Sequence, residues 1–373
     1  MSDAREEIVF YMPHLPVGGA ERMLVRLADG LSRRGHAVRI LLDRMEGDML
    51  AAVPGPVAVE ALDAARSAAA IPRLAGWLRR NRPPILLSAL SHQNIVAIVA
   101  RWLARAPTRV IVSEHTILSR QTAETDAWQH KLMPLMARRL YPLADARVAV
   151  SAAALEDLLG VTGLPRRRFD LIHNPVIPDE FVAQPVPPAP EEPWFGDGGA
   201  PVIIAAGRLV PLKDFALLLH AVALLSAERE VRLIILGEGP ERPELEKLRD
   251  RLGLAEVVRL PGVVPETLPY FAGAAAVAMT SRYEGFGMVL VEAMACGTPV
   301  VSTACPGGPA EILEGGRFGP LVPVGDAEAL ARALASVLDA PPAPDLLRSR
   351  ASDFATSRSV DGYEALFERL LRG

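Results

Sequence analysis

Two cations in the second half of the chain have the residue types and the position that binding of a diphosphate requires. Arg208 and Lys213 come directly after the apolar run 202–206. A guanidinium can bind two phosphate oxygens in a planar fork, and an ammonium group adds a compact point charge. The pair could therefore hold a diphosphate without a metal ion. Two ordinary surface cations would give the same spacing, and these residues alone leave both interpretations open.

Two carboxylates follow further along the same half. Glu284 comes after the apolar run 277–280, and Glu292 lies about one turn into a helix that should begin near Met288. Carboxylates can accept paired hydrogen bonds from vicinal hydroxyls of a sugar or ribose. Glycines on both sides of Phe286 leave backbone N–H groups exposed at the helix start. A helix N-terminal charge and a solvated helix residue are the alternative, but the position after a strand favours function.

The first half of the chain offers a glycine pair and a histidine. Gly18 and Gly19 follow the first apolar run and precede the first helical pattern, where a helix N-terminus favours phosphate. The pair lacks the spacing of the dinucleotide-binding fingerprint. His115 follows the strand predicted at 110–113, at an edge where ligands are expected. A glycine-rich turn and a structural histidine are the alternatives.

The elements that must position these residues follow from an alternation of short apolar runs with longer amphipathic segments. This pattern is typical of an α/β protein with parallel sheets. Strands are predicted at 8–12, 38–42, 85–89, 110–113, 146–150, 170–173, 202–206, 232–236, 257–260, 277–280 and 299–302. Helical spacing predicts helices at 20–34, 214–228, 241–252, 266–272, 289–295, 327–338 and 360–371.

The domain organisation follows from a break in this alternation. Five prolines between Gln184 and Pro193 exclude a helix or a central strand there. We predict an N-terminal domain at 1–182, a linker at 183–200, a second domain at 201–358 and a final helix at 359–373, whose destination the sequence leaves open. Ligands of doubly wound domains bind at the carboxyl ends of the strands, so the loops after strands should carry the chemistry.

Composition excludes several classes of protein. Of the 373 residues, 50% are hydrophobic and 23% are charged, which suits two globular domains rather than an integral membrane protein. The N-terminus lacks the basic start and long apolar stretch of a signal peptide, and no run reaches the roughly 18 residues of a spanning helix. The two cysteines are too few for a disulfide framework. We therefore expect a cytoplasmic protein.

The charge distribution allows an anionic partner in the N-terminal half. Residues 51–150 hold 13 basic and 6 acidic residues, although the whole chain has a net charge of −4. The segment Trp128–Tyr141 combines bulky apolar and basic residues, as a helix lying on an anionic bilayer would. A solvated arginine-rich face and a core-facing helix with a charged outside are the alternatives.

Five segments are informative when they are considered together. They are Gly207-Arg208 with Lys213, Gly237-Glu-Gly-Pro240, Pro261-Gly262, Glu284 with Glu292, and Ala293-Met-Ala-Cys-Gly-Thr-Pro-Val-Val-Ser302. Together they resemble family 4 retaining glycosyltransferases over essentially the whole chain. The resemblance implies the GT-B fold, in which two Rossmann-like doubly wound domains face an interdomain cleft.

The resemblance also implies roles for single residues. Arg208 and Lys213 would hold the donor diphosphate, Glu292 the ribose hydroxyls and Glu284 the transferred sugar, while His115 would contact the sugar or the acceptor. The expected catalytic residues are His115, Arg208, Lys213 and Glu284. The expected donor-binding residues are Gly18, Gly19, Arg208, Lys213, Gly237, Val263, Glu284, Phe286, Gly287, Met288 and Glu292.

The expected reaction is metal-independent, retaining transfer of a hexose or N-acetylhexosamine from a nucleotide diphosphate sugar to a glycan or lipid-linked saccharide. UDP rather than GDP is the expected nucleotide. No cofactor and no nucleic acid partner are expected, and peripheral contact with the inner face of the cytoplasmic membrane would suit a lipid-linked acceptor. A sugar-nucleotide epimerase, a phosphorylase and a non-catalytic sugar-nucleotide-binding protein are the alternatives.

Overall fold

The computed structural model divides the chain into two units, residues 1–176 with 356–373 and residues 177–355. It describes residues 7–64, 67–123, 131–183, 186–195 and 198–372. The final helix belongs to the N-terminal unit, which is the destination that the sequence left open. The division lies at Val176 and Ala355 rather than at 182 and 358, so the described part of the proline-rich segment belongs to the second unit.

The N-terminal unit contains a parallel sheet with the strand order β3-β2-β1-β4-β5-β6-β7 among its described residues. The strands β2 and β3 follow β1 on one side of it, and β4 to β7 lie on its other side. The topological switch point therefore lies between β1 and β4. The strands are β1 Ile8–Met12, β2 Val38–Leu42, β3 Ala58–Ala61, β4 Ile85–Ala89, β5 Arg109–Glu114, β6 Ala146–Ala149 and β7 Asp170–Leu171.

The second unit repeats this plan with the strand order β10-β9-β8-β11-β12-β13 in its described part. Its switch point lies between β8 and β11, which pair in parallel. The strands are β8 Val202–Ala206, β9 Arg232–Leu236, β10 Val258–Gly262, β11 Ala276–Met279, β12 Val300–Thr303 and β13 Leu321–Val322. The predicted fold class, two Rossmann-like doubly wound units, is confirmed.

Helices connect the strands in both units. In the N-terminal unit the described helices are Gly19–Arg33, Ser67–Asn81, Ser91–Ala104, Leu118–Ala123, Met133–Leu140, Ala152–Thr162 and Thr356–Arg372. In the second unit they are Asp179–Ala183, Phe215–Ser226, Arg242–Arg251, Leu268–Gly273, Met288–Ala295, Pro309–Ile312, Ala327–Asp339 and Pro344–Ser352.

The apolar runs form strands because a parallel sheet covered by helices on both faces buries every side chain. All five residues of β1 and of β4 are buried, as is the inner face of the helix Phe215–Ser226. Two strands, Ala58–Ala61 and Leu321–Val322, were missed. Both lie at a sheet edge, where a strand needs no continuous apolar run, and the second has two residues.

Two predictions fall partly outside the described residues. Residues 124–130, which include Trp128, and residues 184–185 are not described. The remainder of the segment predicted to lie on a bilayer forms the helix Met133–Leu140 and a following turn. Within the described ranges, no helix combines the length and the hydrophobicity that crossing a bilayer requires.

Candidate functional site

Glycines shape the carboxyl edge of the second sheet. Gly207 follows β8, Gly237 follows β9, and Gly262 ends β10. The N–H of Gly207 donates to the carbonyl of Leu236 (2.9 Å), and that of Gly237 to Gly262 (2.8 Å). Gly237 has a φ of +135°, and a Cβ there would lie 1.9 Å from the carbonyl oxygen of Gly207. Any larger residue would push these two loops apart.

Lys213 and Glu284 meet at the switch point of this sheet. Lys213 ends a 3₁₀ turn after β8, and Glu284 lies in the loop after β11. The Lys213 ammonium donates to Glu284 Oε1, and the Ser281 hydroxyl donates to the same oxygen (2.7 Å). Both side chains of the ion pair are largely shielded from water, with 21% and 12% exposed. Two groups thus orient this carboxylate.

The loops that carry the pair are tied together by further hydrogen bonds. Thr280 Oγ1 donates to the carbonyl of Lys213 (2.8 Å), and Thr303 Oγ1 donates to the carbonyl of Ser281 (2.6 Å). Asp214 follows Lys213, and Arg282 Nε donates to its carboxylate (3.0 Å). Sequence reasoning missed these supporting hydroxyls.

The loop after β12 fixes the backbone of Glu284. Its N–H donates to the carbonyl of Pro306 (2.9 Å). A Cβ on Gly307 would lie 1.8 Å from the Glu284 carbonyl oxygen, and one on Gly308 would lie 2.1 Å from that of Phe286. This glycine pair is a second element that sequence reasoning missed, and the run Cys305-Pro-Gly-Gly-Pro was its signal.

Arg208 lies beside the ion pair in the chain but does not join it. Its side chain is exposed. The Lys213 chain passes over Gly207, where an ideal Cβ would lie 3.3 Å from Lys213 Cε. Among the described residues, the Arg208 guanidinium has no hydrogen bond or ion pair. The structure thus brings Lys213 to Glu284 and leaves Arg208 in solvent nearby.

The helix Met288–Ala295 carries the second carboxylate. Gly287 precedes it with a φ of +101°, a backbone conformation that favours glycine. Phe286 is buried and packs edge-on against Phe354, with ring centroids 5.4 Å apart. Its side chain is thus committed to the core, which leaves its backbone for contact with a ligand. Glu292 lies within the helix with 3% of its surface exposed.

Two of the expected donor-binding residues, Gly237 and Val263, lie at the same edge. Val263 follows the last residue of β10 and is 53% exposed. Glu238, next to Gly237, pairs with Arg242 (2.7 Å). Exposed apolar surface of this kind is suited to the face of a flat ring.

The expected phosphate loop of the N-terminal unit follows β1. Gly18 has an extended backbone that any residue could adopt, so its conformation does not require glycine. A Cβ there would lie 2.2 Å from Glu21 Oε2, which is the end of a flexible side chain and can move aside. Gly19 begins the helix Gly19–Arg33, and the Glu21 carboxylate lies over its first turn.

His115 follows β5 at the carboxyl edge of the N-terminal sheet. Its Nε2 lies 2.9 Å from Ser113 Oγ, and its Nδ1 is buried without a hydrogen-bond partner among the described residues. Burial lowers the pKa of His115 to about 4, and Asn174 beside the ring acts in the opposite direction. The ring is therefore neutral at pH 7.

Glu114, the residue before His115, forms a buried network that sequence reasoning also missed. Tyr141 and Ser91 each donate a hydrogen bond of 2.8 Å to its carboxyl group. Burial raises the pKa of Glu114 to about 7, and the two hydroxyls oppose this shift. An acidic residue at a strand end was the available signal.

Comparison with known proteins decides the family. Residues 17–180 match the model described as Glycosyltransferase Family 4, and residues 200–340 match Glycosyl transferases group 1. The chain is 30% identical over 270 residues to N-acetylgalactosamine-N,N'-diacetylbacillosaminyl-diphospho-undecaprenol 4-alpha-N-acetylgalactosaminyltransferase of Campylobacter jejuni, covering 72% of this chain and 70% of that protein. The chain belongs to glycosyltransferase family 4.

A further relative of this family 4 glycosyltransferase matches over a shorter stretch. The chain is 40% identical over 154 residues to the lipopolysaccharide core biosynthesis glycosyltransferase LpsE of Rhizobium meliloti. That match covers 41% of this chain and spans less than half, 43%, of the relative.

The solved structures extend the likeness to the fold of the whole chain. HepE of Anabaena in complex with UDP-glucose has a TM-score of 0.77 and 22% identity, covering 99% of this chain and 100% of that one. The two Rossmann-like units are those of the GT-B fold.

Proposed function

We propose that the protein is a retaining glycosyltransferase that moves a hexose or N-acetylhexosamine from a UDP-sugar to a glycan or lipid-linked saccharide. The observation that carries the proposal is the Lys213–Glu284 ion pair at the switch point of the second sheet, with Ser281 on the same carboxylate oxygen. Ligands of doubly wound sheets bind at this place. The pair offers a cation for phosphate and a carboxylate for sugar hydroxyls.

The identity of the substrates is supported by what the names of similar proteins state. The Campylobacter jejuni relative transfers N-acetylgalactosamine to a saccharide on diphospho-undecaprenol, and the Rhizobium meliloti relative acts in lipopolysaccharide core biosynthesis. The Anabaena structure contains UDP-glucose. We extend these substrate classes, a UDP-sugar and a lipid-linked saccharide, to this chain.

Donor binding would use the charges at the carboxyl edge of the second sheet. In this proposal the diphosphate lies between Lys213 and Arg208, whose exposed guanidinium can turn toward it. The N–H groups at the start of the helix Met288–Ala295 add partial positive charge. Glu284 then accepts hydrogen bonds from the sugar, and Glu292 accepts them from the ribose. Val263 contacts the base.

The chemical step would break the bond between the anomeric carbon and the diphosphate oxygen. Positive charge develops on the sugar and negative charge on the leaving diphosphate, which Lys213 and Arg208 stabilise without a metal ion. The acceptor hydroxyl attacks from the face that the diphosphate leaves and passes its proton to a leaving phosphate oxygen. Bond formation on that face retains the anomeric configuration. Glu284, held by Ser281, orients the sugar.

The helix Met133–Leu140 supports an additional membrane contact. Its Met133 and Ala137 are buried, whereas Leu135 is 53% exposed and Arg138 and Arg139 are exposed beside it. Leucines in water next to cations are what an anionic bilayer surface would bind. We propose that this exposed face brings the protein to a lipid-linked acceptor.

A thermal-shift screen tests the donor class. A ligand that binds the native state at a hundred times its Kd adds about 2.7 kcal/mol of stability. We expect UDP and UDP-sugars to raise the unfolding temperature and GDP- and ADP-sugars to leave it near the value of the free protein. Stabilisation by GDP-sugars alone would contradict the choice of UDP. An epimerase would convert the UDP-sugar without forming a new glycoside, and a phosphorylase would exchange a glycoside and phosphate for a sugar phosphate without releasing UDP.

A further inference from the structure

Three side chains of the N-terminal unit, those of Tyr363, Ser113 and His115, form a hydrogen-bonded series. The hydroxyl of Tyr363, on the helix Thr356–Arg372, lies 3.4 Å from Ser113 Oγ. Ser113 Oγ lies 2.9 Å from His115 Nε2. Ser113 and His115 are two residues apart at the end of β5, so their side chains share one face of the sheet. Tyr363 and Ser113 are both buried.

The proton of Tyr363 determines which group donates and which accepts along this hydrogen-bonded series. Burial raises the pKa of the phenol to about 12, so it keeps its proton at neutral pH. Within the described part of the protein, Ser113 Oγ is the hydrogen-bonding partner of the Tyr363 hydroxyl, and at 3.4 Å either oxygen can be the donor. Donation from the phenol to Ser113 is the direction that pairs the buried phenol proton. The reverse direction would leave a buried phenol proton without an acceptor, which costs about 1–3 kcal/mol.

The serine hydroxyl has a single proton, which fixes the next step. Because Ser113 accepts from Tyr363, its own proton is directed to His115 Nε2, which must accept it with a lone pair. A neutral imidazole whose Nε2 is an acceptor carries its proton on Nδ1. Nδ1 is the buried ring atom without a hydrogen bond among the described residues. Asn174, which lies beside the ring and raises its pKa, is the competing acceptor within the protein. In this tautomer Nδ1 is a donor available to an oxygen of a substrate.

We propose that Ser113 and Tyr363 are positioning residues that hold His115 with its proton on Nδ1, so that the ring donates a hydrogen bond to a substrate oxygen. In this tautomer Nε2 is occupied by the serine proton and Nδ1 carries its own. No ring lone pair is left to take a proton from an acceptor hydroxyl, so His115 is a hydrogen-bond donor and not a general base. The assignment of the oxygen to a substrate rests on the proposed function.

Long-range proton–nitrogen NMR spectra of protein labelled with ¹⁵N-histidine read the tautomer directly. The chain has 7 histidines, and the His115→Gln variant identifies the signal of interest by its disappearance. We expect this signal to show a protonated Nδ1 and a bare Nε2 at pH 7. A protonated Nε2 in the native protein would overturn the proposal.

Two variants test whether Ser113 and Tyr363 set the tautomer. Ser113→Ala removes the donor, and Tyr363→Phe removes only the phenol hydroxyl and keeps the ring that packs against Phe367 at 5.9 Å. We expect both to populate the form protonated at Nε2 and to lower kcat/KM about two- to tenfold, the usual effect of one hydrogen bond. Tyr141→Phe, which removes a buried phenol hydroxyl from Glu114, is the matched control and should leave the tautomer unchanged.

An unchanged His115 signal in the folded Tyr363→Phe variant would also overturn the proposal, even if Ser113→Ala failed to fold. The spectra need no substrate, so a wrong tautomer would leave the proposed transferase activity standing. Conversely, failure to transfer a sugar would leave the tautomer assignment intact and remove only its functional use.

Discussion

The ammonium of Lys213 and the carboxylate of Glu284, 71 residues apart in the chain, form an ion pair at the carboxyl edge of the second sheet. The pair lies at the topological switch point, where β8 and β11 pair in parallel. Charged groups taken out of water need partners, and here each supplies the other. A bound diphosphate and sugar would replace this contact with phosphate oxygens at Lys213 and hydroxyls at Glu284.

Replacing Glu292 should weaken donor binding more than it slows the chemical step. A residue that holds the ribose contributes equally to the ground state and the transition state, so Glu292→Gln should raise the donor KM about tenfold with little change in kcat. Glutamine keeps the shape of this buried side chain. Glu328→Gln, on an exposed helical face, is the control. A large fall in kcat at unchanged KM would contradict the role.

Gly307 should tolerate no side chain. Its φ is +139°, and a Cβ would collide with the carbonyl oxygen of Glu284. We expect Gly307→Ala to shift the Glu284 loop, to lower the free energy of unfolding by roughly 1–3 kcal/mol from backbone strain alone, and to lose most donor turnover. Gly55→Ala, where nothing lies within 4 Å, is the control. Native turnover in Gly307→Ala would show that the loop does not fix Glu284.

Glu114 should make stability depend on pH between 4.5 and about 7. Its pKa is raised from 4.5 to about 7 by burial, so the folded state holds a proton that the unfolded state has released above pH 4.5. The wild type should therefore lose stability relative to Glu114→Gln as the pH rises from 4.5 to about 7, and the difference should level off above that pH. Thermal unfolding of both proteins across this range and about one pH unit on either side measures this difference. A difference that is constant with pH would contradict the raised pKa.

The exposed face of the helix Met133–Leu140, which contains Leu135, should support binding to anionic membranes. We expect the protein to float with phosphatidylglycerol vesicles at low salt. Leu135→Glu should reduce the bound fraction several-fold, because anionic headgroups repel the new carboxylate and the variant no longer buries the apolar leucine side chain in the membrane. Leu224→Glu, on an exposed position of the second unit, is the control. Absence of flotation by the wild type at low salt would remove the membrane proposal.

The sequence predicted the strands and the loops that carry chemistry because parallel sheets impose a strong apolar pattern. The edge strand Ala58–Ala61 escaped because its side chains are only partly buried. Lys213 and Glu284 could be identified by type and position after strands, but their direct contact depends on two loops that meet only in the folded unit. The partners Ser281 and Thr303 were missed because single hydroxyl residues have no pattern that distinguishes them from solvated ones.

The N-terminal site was the harder half to predict. No sequence pattern connects Tyr363 with His115, because the final helix belongs to the N-terminal unit through contacts between residues far apart in the chain. Buried networks such as that of Glu114 depend on how completely neighbouring elements exclude water. Burial of this kind cannot be read from residue type.

Donor turnover and the configuration of the product test the central claim most directly. We expect the purified wild type, given a UDP-sugar and a lipid-linked saccharide, to form a new glycoside whose proton NMR spectrum shows the anomeric configuration of the donor. Lys213→Ala and Glu284→Gln should each lower turnover about 100-fold or more while unfolding as cooperatively as the wild type. Lys247→Ala, on an exposed helical face, should match the wild type. An inverted product, or near-native turnover in folded Lys213→Ala or Glu284→Gln, would contradict this account.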